Sequence, residues 1–339
     1  MSARRLRSTS RQSRNSVVIL LSGEETSLPE AEARAVVKTY DEDAKVSLLE
    51  PRIVRAETVA NPDTIARRIA FAKRVGTLIP DGLLDRETRR EVERASYRLR
   101  HFRLGESRAV DRSSVETEIL NQLQGKVKLE DPEYELSLIE GRRKGRTYLL
   151  LTKPGIMNQG WAGRRPRSRA FFHPSAIFPK LSRALVNIAG VKEGETLLDP
   201  FAGTGSILLE ASIVGALPVG VDISWKMARG ALANAQKYRQ PWLGMIRADS
   251  MSLPLTRVDA IATDVPYGRA SSRMGEELGA IIDGLLKAGA PLLRRGRIAV
   301  VMHPRSSRVT PGNTFRVEGE HHLYVHRNLT RTITILRRL

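Results

Sequence analysis

The chain has 339 residues, no cysteine, and a formal net charge of +19 from 56 lysines and arginines against 37 acidic residues. The missing cysteine excludes thiolate metal sites, disulfides and cysteine nucleophiles. No run approaches the roughly 20 apolar residues of a membrane span and no secretory pattern opens the chain, so a cytoplasmic protein without a membrane role is expected.

So large an excess of cations predicts a polyanionic partner such as nucleic acid, and the length predicts two or three domains. Residues 1–15 are polar and arginine-rich with nothing to bury, and read as a disordered basic tail. SVVILLSGEE is a first strand, SLPEAEARAVVKTYD a helix with proline near its start, and KVSLLEPRIVRAET two short strands. Together they make a small α/β unit over 16–60. NPDTIARRIAFAKRVGTLI reads as a helix opening a second unit over 61–152. The strand in EVERASYRLRHFRLG sets Arg98 and Arg100 on one face. Its alternation slips at Phe102 and Arg103, so a bulge or strand end is expected near residue 101. SSVETEILNQLQG is a helix, and YELSLIE and RTYLLLTKP pair across the basic turn GRRKG. The Gly-, Pro- and Arg-rich stretch 153–174 follows neither period and reads as a linker.

From 175 to 339, short apolar runs alternate with helical segments, the pattern of a mainly parallel sheet covered on both faces. The ligand crevice of such a sheet lies at the carboxyl ends of its strands, and four candidate ends carry acids: Asp199, Asp222, Asp249 and Asp264. Helix capping alone would accept Ser, Thr or Asn as well as Asp. Asp199 precedes PFAGTGS, where Gly203 and Gly205 permit a tight turn and close ligand approach. No lysine follows those glycines, and an acid in front of them repels a pyrophosphate but suits an ammonium. Asp222 can accept both hydroxyls of a ribose, and Asp249 with Ser250 the amine of an adenine. Ammonium, ribose and adenine without pyrophosphate describe S-adenosylmethionine. The fourth acid opens DVPYG. There Asp264 and the Val265 carbonyl can accept from an exocyclic amine, Pro266 stiffens the turn, and Tyr267 can stack on an extruded base. His321, His322 and His326 lack a third ligand partner, so no metal is expected; His173 is a candidate for the pocket mouth.

DPFAGTGSILLEA, GVDIS, ADS and TDVPYG resemble Rossmann-like exocyclic-amino methyltransferases. FFHPSAIFPKLSRALVNIAG and VHRNLTRTI resemble more narrowly the archaeal tRNA (guanine(10)-N2)-methyltransferase family. The resemblance implies an α/β chain with an N-terminal ferredoxin-like region (16–60) and a THUMP RNA-binding domain (61–152). These precede a class I, Rossmann-like S-adenosylmethionine-dependent methyltransferase domain with a seven-stranded mixed sheet. It implies methyl transfer to N2 of guanosine 10 in tRNA, once or twice. A monomer is expected, because tRNA recognition can be completed within one chain, with an activator subunit an option but not a requirement. Its cofactor residues fall on Asp199, Phe201, Gly203, Thr204, Gly205, Asp222, Ile223, Asp249 and Ser250, and its catalytic Asp-Pro-Pro-Tyr on Asp264, Val265, Pro266 and Tyr267. Valine replaces the first proline and restores an N–H that needs a partner. Arg98, Arg100, Arg103, Arg164, Arg165, Arg167 and Arg169 are candidates for tracking tRNA phosphates. Rival readings are methylation of another tRNA guanosine, such as position 6, and a non-catalytic RNA-binding protein that kept the fold. A DNA amino-methyltransferase would need a base-reading domain, and the sequence offers none.

Overall fold

A computed structural model describes residues 14–23, 27–105, 112–143, 146–266, 274–327 and 329–339. The basic tail expected at 1–15 therefore lies outside the described residues except for Arg14 and Asn15, as do Tyr267 and Gly268 of the acidic motif.

The N-terminal half builds one mixed sheet. Its strands are β1 (Asn15–Leu21), β2 (Lys45–Glu50), β3 (Ile53–Thr58), β4 (Ala72–Ile79), β5 (Ser96–Arg103), β6 (Lys126–Val127), β7 (Tyr134–Glu140) and β8 (Thr147–Thr152). They lie in the order β2-β3-β1-β4-β8-β7-β5-β6. The boundary drawn at residue 60 thus falls within a continuous sheet, because β4 pairs with β1 on one side and β8 on the other. Helices α1 (Leu28–Tyr40), α2 (Pro62–Arg68), α3 (Arg86–Arg94) and α4 (Arg112–Asn121) accompany it.

Two expectations need correction here. The helix read over 61–79 stops at Arg68, where Ile69 turns extended and the Glu32 carboxylate accepts the Ala70 and Phe71 N–H groups (2.9 and 2.8 Å). The rest of that run, AKRVGTLI, becomes β4, whose valine, threonine and isoleucine suit a pleated surface. Nor is there a bulge at 101: β5 pairs with β7 in unbroken parallel register from Tyr97 to Arg103. Its alternation slips because arginines occupy both faces, and Arg98 and Arg103 each meet a carboxylate. Arg98 and Arg74 bind buried Glu135, and Arg103 binds Glu140 (3.0 Å), as does His101 (2.9 Å).

The C-terminal half carries the expected seven-stranded mixed sheet, in the order β11-β10-β9-β12-β13-β15-β14. Strands β9 (Thr196–Asp199), β10 (Leu217–Asp222), β11 (Gly244–Arg247), β12 (Ala260–Asp264) and β13 (Ile298–Pro304) are parallel. β14 (Phe315–His326) and β15 (Leu329–Arg338) close the sheet antiparallel. Helices α5 (Pro179–Ile188) and α6 (Ser206–Ile213) supply the core on one face. α8 (Met274–Gly289) supplies it on the other, and α7 (Trp225–Lys237) follows β10. Because β9 leads outward to β10 and β12 pairs on its other side, strand order reverses between β9 and β12. That is where such sheets open a crevice.

The two halves share one core. Leu28, Ala70 and Phe71 pack in the same cluster as Ala184, Leu185 and Ile188 of α5. A buried polar network crosses the seam: Arg68 donates to the Asn187 side chain (2.9 Å) and the Val191 carbonyl (2.5 Å), and Asn187 donates to Glu32 (2.6 Å).

The stretch read as a linker is likewise built in. Short 3-10 turns occupy Pro154–Met157, Trp161–Arg164 and Pro166–Ser168. The Trp161 ring lies under the guanidinium groups of Arg164 and Arg183, 5.0 and 5.4 Å from their centres. Both arginines bind the Glu210 carboxylate of α6 at 2.7 Å.

Candidate active site

The crevice at the strand reversal is a cavity of about 570 Å³, within the range of small-molecule sites, about 300–1,000 Å³. All four acids line it. So do Phe201, Gly203 and Thr204 from the glycine loop, and Ile223, Ser250, Val265 and Pro266 from the other strand ends. His173 lines it too, from the segment before α5. Gly205 is not part of the wall; it shapes the loop that is.

Each acid has its own role in that wall. Asp199 is buried, accepts the Thr263 hydroxyl (2.6 Å) and the Phe201 N–H (3.2 Å), and is pushed up to about 7. Burial is the main cause; Asp264 and Asp222 add to it. Asp222 ties two elements together: one oxygen accepts the Gly203 N–H and the other the Ser224 N–H, both at 2.8 Å. Asp249 accepts the Met251 N–H (2.9 Å), and Ile223 stands at the rim, 70% exposed. Asp264 is also pushed up to about 7 by burial, against the opposing pull of Arg331. Its Oδ1 has no hydrogen-bond partner among the described residues. A buried acceptor left unmatched costs free energy unless a ligand supplies the donor.

Gly203 and Gly205 both sit at positive φ, +52° and +75°. A Cβ at Gly205 would also fall 2.4 Å from the Trp242 ring. Gly205→Ala therefore combines left-handed strain with overpacking, a loss of about 2–4 kcal/mol. A lower melting temperature together with weaker cofactor binding by calorimetry is the expected result.

The N–H that Val265 restores has a partner. It donates to the Met302 carbonyl (2.9 Å), extending the β12–β13 ladder by one residue, and the side chain is fully buried. Val265 itself lines the cavity wall. Tyr267, the expected stacking ring, lies outside the described residues.

The arginines divide. Arg169 is buried and donates to Ser206 Oγ (2.5 Å), Thr204 Oγ1 (3.4 Å) and the Ile177 carbonyl (3.0 Å), so it braces the glycine loop rather than meeting a phosphate. Arg164 is held by Glu210 and Arg98 by Glu135, which removes them from the candidate RNA surface. Arg103 is bound to Glu140 but half exposed. Arg100, Arg165 and Arg167 are exposed. Sequence reasoning overlooked Thr263, whose neighbour it had singled out, and Arg331, which lay within the quoted VHRNLTRTI. It also overlooked Phe172 and Phe178, 46% and 62% exposed on either side of the cavity-lining residues 173 and 175–177.

A model of the RMKL-like methyltransferase domain matches residues 166–333. The tRNA (guanine(10)-N2)-dimethyltransferase of Methanothermobacter thermautotrophicus is 30% identical over 95% of this chain and 99% of its own length. The chain belongs to the tRNA (guanine(10)-N2)-dimethyltransferase family. The family's member from Methanocaldococcus jannaschii is 35% identical over 52% of this chain and 50% of its own length. Among solved structures, TrmN from Thermus thermophilus has the same fold over 96% of this chain and all of its own, with a TM-score of 0.52 at 21% identity. Membership accounts for the glycine loop followed by acids at successive strand ends. It leaves Val265 as the departure from the expected Asp-Pro-Pro-Tyr.

Proposed function

We propose that this chain transfers a methyl group from S-adenosylmethionine to N2 of guanosine 10 in tRNA, giving N2-methylguanosine and N2,N2-dimethylguanosine. The observation that carries the reading is the buried Asp264 carboxylate, whose Oδ1 has no hydrogen-bond partner among the described residues, in a cavity with three further acids in a chain of this family. The residues fit the cofactor. The buried Asp199 carboxylate beside the glycine turn suits the ammonium, Asp222 the ribose, Asp249 and Ser250 the adenine, and Ile223 covers the ring. When bound, the cofactor supplies an electrophilic methyl on a sulfonium. Asp264 and the Val265 carbonyl then hold the two hydrogens of the guanine amine, so that the nitrogen lone pair points at the methyl. As nitrogen gains positive charge and leaves the cofactor sulfur a neutral thioether, the Asp264 anion stabilises that charge in a site of low dielectric constant. The same carboxylate takes up the proton that the methylated nitrogen sheds. After the first transfer one hydrogen remains, and a single acceptor is enough to orient it for the second. Pro266 keeps the turn rigid, and Tyr267 is the proposed stacking partner of the extruded base.

The N-terminal sheet is proposed to hold the ferredoxin-like and THUMP regions, joined through β4, and to bind tRNA. One chain carries both the basic surface and the cavity, which supports action as a monomer. No helix among the described residues is long and apolar enough to cross a membrane. Arg100, Arg165 and Arg167 are the proposed phosphate contacts. Replacing all three with glutamine should lower the slope of log K against log salt by about one for each phosphate no longer neutralised. Cofactor affinity should not change; filter binding and calorimetry measure the two quantities.

Incubating unmodified tRNA transcript with labelled cofactor and mapping the product tests the reading. Label is expected at position 10 and should vanish when guanosine 10 is replaced. Label that persists after that replacement moves the target elsewhere, and cofactor binding without any transfer points to a non-catalytic protein.

A further inference from the structure

The proposed function makes no use of VHRNLTRTI, at 325–333. Its strand lies two positions from the catalytic one: β12 pairs Asp264 with Met302 of β13, and β13 pairs Met302 with Ile333 and Pro304 with Arg331 of β15. Antiparallel return therefore carries Arg331 past the end of the parallel strands, to the level of the cavity. Its Nη2 lies 3.9 Å from Asp264 Oδ2, with the two side chains 15% and 13% exposed.

We propose that Arg331 is a positioning residue for Asp264, favouring the ionised carboxylate and turning it toward the cavity while leaving its lone pairs to the substrate amine. The distance is decisive. At 3.9 Å the cation exerts its field without a direct hydrogen bond, and Oδ1 keeps no partner among the described residues. A bidentate clamp would instead occupy the oxygens that the amine needs.

Among the described residues, the other charged groups that line the cavity with Asp264 cannot take this role. Asp199 on β9, Asp222 on β10 and Asp249 beyond β11 are acids that share the cavity and oppose ionisation. On β13, His303 is buried and engaged with Thr334 and Ser307 at 2.9 Å, and burial lowers its affinity for a proton. His173 at the mouth is bound to Ser175 (2.7 Å), and among the described residues α8 contributes Ile281 to the wall. Arg269 and Arg273 lie outside the described residues. Arg331 is the cation that draws Asp264 down, against the burial that raises it.

The inference rests on the reading of Asp264 as the amine acceptor, so the test has one arm that needs neither RNA nor cofactor. In protein labelled with 13C at aspartate carboxyls, Asp264 is identified by its loss in Asp264→Asn and titrated in wild type, Arg331→Lys and Arg331→Met. The midpoint should rise by about one pH unit or more in the methionine variant and stay near wild type in the lysine variant. The acidic limb of kcat should move with it, while KM for tRNA changes only a few-fold. Should the methionine variant not fold, Arg331→Gln carries the same comparison. An unmoved midpoint, or a kcat lowered equally at every pH, overturns the proposal. If wild type transfers no methyl at all, the functional reading fails, and the carboxyl titration still decides about Arg331.

Discussion

Asp264→Asn is expected to lower methyl transfer by about 10²–10⁴-fold and, at the same time, to make the cofactor-free protein more stable at pH 8. The first effect follows because asparagine keeps an acceptor oxygen but brings no charge to meet the cation forming on nitrogen. Cofactor affinity should stay within a few-fold, since Asp199, Asp222 and Asp249 are untouched. The second effect follows from proton linkage. The folded carboxyl is raised to about 7 from an ordinary 3.8, so between these values the folded state binds more protons than the unfolded chain. Stability contributed by the protonated group is fully present below about pH 4 and is lost as pH rises through about 7. Above that, wild type carries a buried charge costing on the order of 4 kcal/mol, and the asparagine variant does not. Thermal melts at pH 5 and pH 8 test this directly. The variant's advantage should grow with pH, and a constant difference would show that Asp264 is not held protonated near neutrality. Transfer by wild type should rise over the same range, because the ionised form is the one that accepts.

Glu210→Ala should be the most destabilising single change, at about 3–5 kcal/mol. Glu210 is fully buried and receives Arg164 and Arg183, both at 2.7 Å, and Arg183 is itself 1% exposed. Removing the carboxylate leaves a guanidinium in the interior without a counter-charge. Burial already pulls the Arg183 proton affinity down, and Glu210 opposes that. The same carboxylate anchors the 3-10 turns that lead to Arg169, and Arg169 in turn braces Thr204 and Ser206. The damage should therefore reach the cofactor loop, weakening cofactor binding as well as lowering the denaturation midpoint. Replacing all three members together, Arg164→Met, Arg183→Met and Glu210→Leu, should recover most of the stability, because no charge is then stranded. If Glu210→Ala alone melts like wild type, the triad is not what holds the segment after β8 to α6.

Much of the catalytic half was legible because its signals are local. A short β-run with an aspartate at or just beyond its carboxyl end repeats at Asp199, Asp222, Asp249 and Asp264. Strand alternation and helix period then order the elements around them. One cavity receives all four because a parallel sheet gathers its strand ends on one side. The N-terminal half was less legible. Its segments on either side of residue 60 join in one sheet because β4 pairs with β1, a contact reaching from Val17 to Thr77 that no short pattern encodes.

Composition and local pattern alone pointed to a polyanionic partner, to the parallel sheet and to the acids at its strand ends, since each depends on residue type and near-neighbour spacing. Only the tertiary structure decided what each arginine does. Arg100, Arg165 and Arg167 remain on the surface, Arg98 and Arg164 are spent on buried carboxylates, Arg169 braces a loop, and Arg331 faces Asp264. The same holds for Val265, whose N–H finds Met302 on another strand. The physical reason is common to both. A guanidinium or an amide has the same capacity wherever it occurs, and its partner is chosen by chain segments brought together from far apart in sequence.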